Sequence, residues 1–151
     1  MKKFLKWLVI GLGVAFLAIQ VYRPARTNPH TDPARTLQAT TPVPPHIDKI
    51  LQRACNDCHS NDTRWPWYSN LAPASWFLVD HVNEGRHELS FSEIGAYSAK
   101  KRAHKFEELC EMVKNGSMPI DNYVWLHPDA KLSQADVQAL CAWSAPFATK
   151  R

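Results

Sequence analysis

The stretch His46-Ile-Asp-Lys-Ile-Leu-Gln-Arg-Ala-Cys55-Asn-Asp-Cys58-His59 governs the reading of the whole chain. Ile47, Ile50, Leu51, Ala54, Cys55 and Cys58 recur at i, i+3, i+4 and i+7, which gives a helix one apolar face. The stretch ends in C-x-x-C-H, two thiols three residues apart with an imidazole directly behind. Outward from it the pattern stays helical. Residues 60–73 (S-N-D-T-R-W-P-W-Y-S-N-L-A-P) read as an aromatic-rich loop, and a second helix is expected over about Ser75–Leu89. Ser90 and Glu93 have the spacing of a capping box for a short helical turn. A third helix, about Ala99–Asn115, carries Phe106, Leu109, Cys110 and Val113 on one face and stops at Gly116. Ser133 and Asp136 make a weaker box before a last helix to about Trp143, with Val137, Leu140 and Cys141 inward. No alternating run exceeds four residues and there is no internal repeat, so residues 46–151 are expected to form one all-α domain.

The length and composition suit that reading. The chain has 151 residues, 45% of them hydrophobic and 21% charged, an ordinary globular balance. Residues 46–151 hold five of the six tryptophans, enough bulk for a small core. The formal net charge is +4, and without Lys2, Lys3 and Lys6 it falls to +1. A domain so close to neutral lacks the basic footprint of a nucleic-acid binder, and no nucleic-acid partner is expected.

The segments before residue 46 differ from the rest. Residues 1–22 combine the three lysines with a run from Trp7 to Tyr22 whose one polar residue is Gln20. With Lys6 snorkelling, residues 4–22 nearly span a hydrocarbon core of ~30 Å. No small-x-small cleavage site follows, so an uncleaved N-terminal membrane helix is expected rather than a cleaved signal. Residues 23–45 contain six of the eleven prolines and only Leu37 and Val43 as large apolar residues. This composition reads as an extended proline-rich linker, a tether of up to ~70 Å.

C-x-x-C-H has the spacing of covalent c-type haem attachment: each thiol adds to a vinyl group and the histidine reaches the iron. A thioredoxin-like dithiol would want a βαβ setting, and a zinc site a second ligand pair; the sequence offers neither. Cys55 and Cys58 are thus the expected attachment points for one haem c, and His59 an iron ligand. Covalent haem would put residues 46–151 on the extracytoplasmic side of a single-pass anchor in the cytoplasmic membrane. For the sixth position the leading candidate is Met118, in Gly-Ser-Met-Pro just past a helix stop. His127, before Pro128, is its strongest histidine rival. Met112 reads as core filler, His81 and His87 as surface or satisfied core residues, and His30, His46 and His104 as solvated. Arg64, Trp65, Trp67 and Tyr68 are candidates for packing on the porphyrin or bonding its propionates, with plain core packing as the alternative.

The run C-N-D-C-H-S-N-D-T-R-W-P-W-Y-S-N-L-A-P-A-S-W, then H-V-N-E-G-R-H-E-L-S-F-S-E, G-S-M-P and H-P-D-A-K-L-S resembles the bacterial haem-binding domain family, small membrane-anchored or periplasmic c-type proteins. The resemblance covers about residues 46–145. It implies a cytochrome c-like helical domain wrapped around one covalent haem, with Cys55, Cys58, His59 and Met118 in the matching positions. A His/Met iron has no open coordination position, which points to an electron carrier with a redox partner protein and no small-molecule substrate. The alternative is a haem peroxidase or small-gas sensor whose sixth ligand is labile or absent. Cys110 and Cys141 lie outside the family pattern. They either pair across the third and fourth helices or pack as small hydrophobes.

Overall fold

The computed structural model describes residues 1–148. Eight α-helices follow along them: α1 (Lys2–Ile19), α2 (Leu37–Thr40), α3 (Pro45–Ala54), α4 (Asn56–His59), α5 (Ala74–Glu88), α6 (Ala99–Lys114), α7 (Asp121–Leu126) and α8 (Gln134–Ser144). Short 3-10 turns link several of them, and there is no strand among the described residues.

α3, α5, α6 and α8 form where the sequence pattern called for helices. Pro45 opens α3, where a missing amide proton costs nothing, and Ile47, Ile50, Leu51 and Ala54 form its buried face. Ser98 caps α6 by accepting from the Lys101 amide, and Gly116 at φ +79° turns the chain out beyond it. Ser133 and Asp136 make the full capping box at the start of α8. The box expected at Ser90 and Glu93 does not form. The turn there is the 3-10 segment Ile94–Ala96, and the Ser90 hydroxyl has no partner. The core joins α3, α6 and α8 through Ile47, Leu51, Phe106, Leu109, Leu140 and Trp143. Phe106 meets Trp143 edge-on, with centroids 5.6 Å apart. A disulfide between Cys110 and Cys141, with Cα atoms 4.7 Å apart, ties α6 to α8.

Two expectations about the N-terminal third need correction. No helix among the described residues is long and apolar enough to cross a membrane. α1 ends at Ile19 and includes Lys2, Lys3 and Lys6; its lysine-free part, residues 7–19, rises only about 20 Å against the ~30 Å required. The last residues of the expected span are used by the domain instead. The Gln20 amide exchanges hydrogen bonds with the Ala72 backbone at 3.1 and 2.9 Å, and the Tyr22 carbonyl accepts from the Trp76 indole at 2.8 Å. The expected membrane helix over residues 4–22 is therefore absent, and with it falls the single-pass placement in the cytoplasmic membrane.

Residues 23–45 also run along the domain instead of away from it. Arg26 bonds Ser69 and Asn70, Asn28 donates to the Thr63 carbonyl, and the Pro42 carbonyl accepts from Trp143. Leu37, at the start of α2, is completely buried. Leu37, Val43 and a few polar contacts secure a segment that has no continuous apolar face of its own.

Candidate cofactor site

Cys55 is the joint between α3 and the single turn α4, and the amides of Cys58 and His59 both bond back to its carbonyl. The turn presents Cys55, Cys58 and His59 to one region. Both thiols are free. Burial, reinforced by Cys58, pushes Cys55 up to about 12; burial, reinforced by Asp57, pushes Cys58 up to about 11. Neutral, shielded thiols are the opposite of a redox dithiol, which needs a lowered pKa.

α5 packs against this turn at Gly85. A Cβ there would lie 2.7 Å from the Cys58 carbonyl oxygen, so only glycine permits the approach. The same contact orients the histidine. His59 Nδ1 sits 2.9 Å from both the Gly85 and Leu89 carbonyl oxygens. Carbonyls only accept, so Nδ1 carries the proton and Nε2 keeps its lone pair. Burial, partly opposed by these two bonds, lowers the His59 pKa and keeps the ring neutral. A neutral imidazole, oriented through its second nitrogen, is how proteins prepare a histidine metal ligand.

Three adjoining cavities of about 140, 510 and 200 Å³ surround the turn. The first contains His59, Cys58, Met118, His81 and Tyr123; the second extends past Cys58 to Tyr68, Phe77 and Trp125; the third extends past His59 to Cys55, Phe91 and Met112. Two free thiols, an imidazole with an available lone pair and a largely apolar cleft fit a haem. Cys55 and Cys58 would hold its edge and His59 its iron, with Met118 in the same cavity.

Of the other candidates, only Tyr68 lines these cavities; its hydroxyl hydrogen-bonds His127 Nε2 at 2.8 Å. Arg64 grips Asp57 through its backbone amide, Nε and Nη2, at 3.0–3.2 Å. Trp65 donates to Asn28, and Trp67 is 78% exposed. His127 is committed to Tyr68 and stacks on Tyr123. Two residues first read as background do face the site. His81 donates Nδ1–H to the Phe77 carbonyl at 2.8 Å and lines two of the cavities; Met112 is 38% exposed and lines the third. The sequence reading missed Gly85, Asp57 and Tyr123. An isolated glycine inside a helical pattern was the available signal for Gly85. Tyr123 donates to Asp57 Oδ2 at 2.7 Å, and burial together with that carboxylate raises its pKa, so the phenol stays a donor.

The family model described as a haem-binding domain matches residues 14–146. No curated protein and no solved structure matches the chain. The match spans most of the sequence and includes every residue of the cleft, and the chain belongs to the haem-binding domain family.

Proposed function

We propose that the chain carries one haem attached covalently through Cys55 and Cys58, ligated by His59 and Met118, and serves as an electron-transfer protein. The observation that supports this best is His59, whose Nδ1 is occupied by two carbonyls while Nε2 is left for a metal beside two free thiols. Haem, when bound, supplies a one-electron iron couple. The chain's own residues supply the rest: Gly85 and Leu89 orient the imidazole, the apolar walls exclude water, and Met118 offers a thioether from the same cavity. A thioether and an imidazole holding the iron together would raise its potential and leave no open coordination position, which suits electron exchange with a redox protein better than chemistry on a small substrate. Peroxide or gas binding at a labile sixth position is the second reading; Met118, 38% exposed in a surface loop, is the observation in its favour.

The test begins with protein matured for covalent haem. Haem should stay with the denatured chain on a gel, and acid–organic extraction that strips it all would overturn covalent attachment. The oxidised protein should be low-spin with the weak long-wavelength band of methionine–ferric coordination. Met118→Ala should abolish that band and lower the potential. A wild-type spectrum in Met118→Ala, with the band lost in His127→Ala, would reassign the ligand. A high-spin wild type would favour the second reading.

A further inference from the structure

Residues 116–128 leave α6 at Gly116, carry Met118 near their start and continue through α7. No residue of α7 is buried, and its Trp125 is 82% exposed. Apolar burial therefore does little to seat this segment. Two side-chain hydrogen bonds hold it to the C-x-x-C-H side of the cleft. Tyr123 donates to Asp57 Oδ2 at 2.7 Å, and His127 meets the Tyr68 hydroxyl at 2.8 Å. Tyr123 and His127 are stacked, with centroids 4.3 Å apart and planes 12° from parallel, so the two ties share one platform. Asp57 is the buried residue directly before Cys58, and Arg64 holds both of its carboxylate oxygens. Tyr123, Ile120 and Met118 all line the cavity that contains His59.

We propose that Tyr123 is a positioning residue that, through its hydrogen bond to Asp57, latches residues 116–128 across the cleft and sets how firmly Met118 occupies the position opposite His59. The proposal rests on the Met118 ligation argued above. A bond from a neutral donor to a carboxylate is among the stronger kinds. Its loss should raise the fraction of open segment on the order of tenfold to a hundredfold. A competing ligand binds in proportion to that fraction, so its apparent affinity should rise by the same factor. The contact also couples the two sides of the cleft, because its acceptor lies inside the attachment motif.

The test uses oxidised full-length haem protein, with imidazole as the competing ligand. Tyr123→Phe keeps the ring and its stacking and removes only the donor. It should bind imidazole about tenfold to a hundredfold more tightly, with a weaker methionine band and a lower potential. Tyr68→Phe, which breaks the second tie, should shift all three readouts the same way. Wild-type imidazole affinity, band and potential in Tyr123→Phe would overturn the proposal. If Tyr123→Phe fails to take up haem, Tyr68→Phe decides by the same criteria. Met118→Ala separates the two layers of the argument. If it leaves spectrum and imidazole affinity unchanged, the ligation reading fails and takes the latch with it. If it alters both while Tyr123→Phe alters neither, only the latch fails.

Discussion

At the scale of single residues, the site turns on a glycine of α5 as well as on its charged and aromatic neighbours. Gly85 does two things at once: it lets α5 approach the Cys58 carbonyl, and its own carbonyl accepts a hydrogen bond from His59 Nδ1–H. Gly85→Ala would force a methyl group to within 2.7 Å of backbone, which cannot move aside as a flexible side chain can. Overpacking of this kind costs about 1–3 kcal/mol and here also displaces an acceptor of His59. The expected outcome is a lower melting temperature together with reduced haem content per chain. Wild-type haem content with unchanged spectra would show that α5 does not set the histidine. The motif itself was legible, since C-x-x-C-H carries its spacing in five consecutive residues. The acceptors on His59 were not, because they are backbone carbonyls of residues 85 and 89, on which sequence imposes no visible mark.

At the scale of elements, α3 and α8, already joined in the core, are also tied by one ion pair supported by a cap. Arg53 Nη2 lies 2.7 Å from Asp136, whose carboxylate also accepts from the Ser133 amide and hydroxyl. Burial alone would raise the Asp136 pKa; Ser133 and Arg53 more than offset it and hold the carboxyl below its ordinary 3.8. A lowered folded-state pKa means the group stabilises the fold above the unfolded value and loses that contribution as pH falls through the folded value. Asp136→Asn should therefore unfold more easily than wild type at neutral pH, and the gap should close below about pH 4 in denaturant titrations. Ser133→Ala should cost about 1 kcal/mol by removing the cap. This box was visible in the sequence because Ser-x-x-Asp precedes an apolar run. α7 was not foreseen: its Asp-Asn-Tyr-Val-Trp-Leu has no buried face, so there was no periodicity to detect. Leu37 escaped for the converse reason, as one buried side chain among prolines makes no pattern.

At the scale of the whole molecule, the chain divides into a helix that buries nothing and a body held by its core and one covalent bridge. None of the residues of α1 is buried, so removing residues 2–19 while keeping Gln20 should leave the melting temperature of the body unchanged. Counting apolar residues to Tyr22 overstates this helix, which stops at Ile19, after which Gln20 and Tyr22 bond the domain. The bridge was half legible: parity left two cysteines over once the attachment motif had claimed its pair, but packing as free thiols explained them equally well. The structure joins them, and the consequence follows from chain entropy. Cys110 and Cys141 are 31 residues apart, and closing a loop of that length restricts the unfolded chain by about 3–4 kcal/mol. The bridge ties α6, which carries Phe106 and Leu109, to α8, which carries Leu140 and Trp143, so it constrains the two walls of the same core. Replacing both cysteines with alanine should lower the stability by an amount of that order, and a reductant should lower the melting temperature of wild type but not of the double variant. α6 also borders the haem cleft through Met112, so a wild-type visible spectrum in the double variant below its transition would mean that packing alone keeps that wall in place. Equal melting temperatures for wild type with and without reductant would mean that core packing alone holds α6 and α8 together.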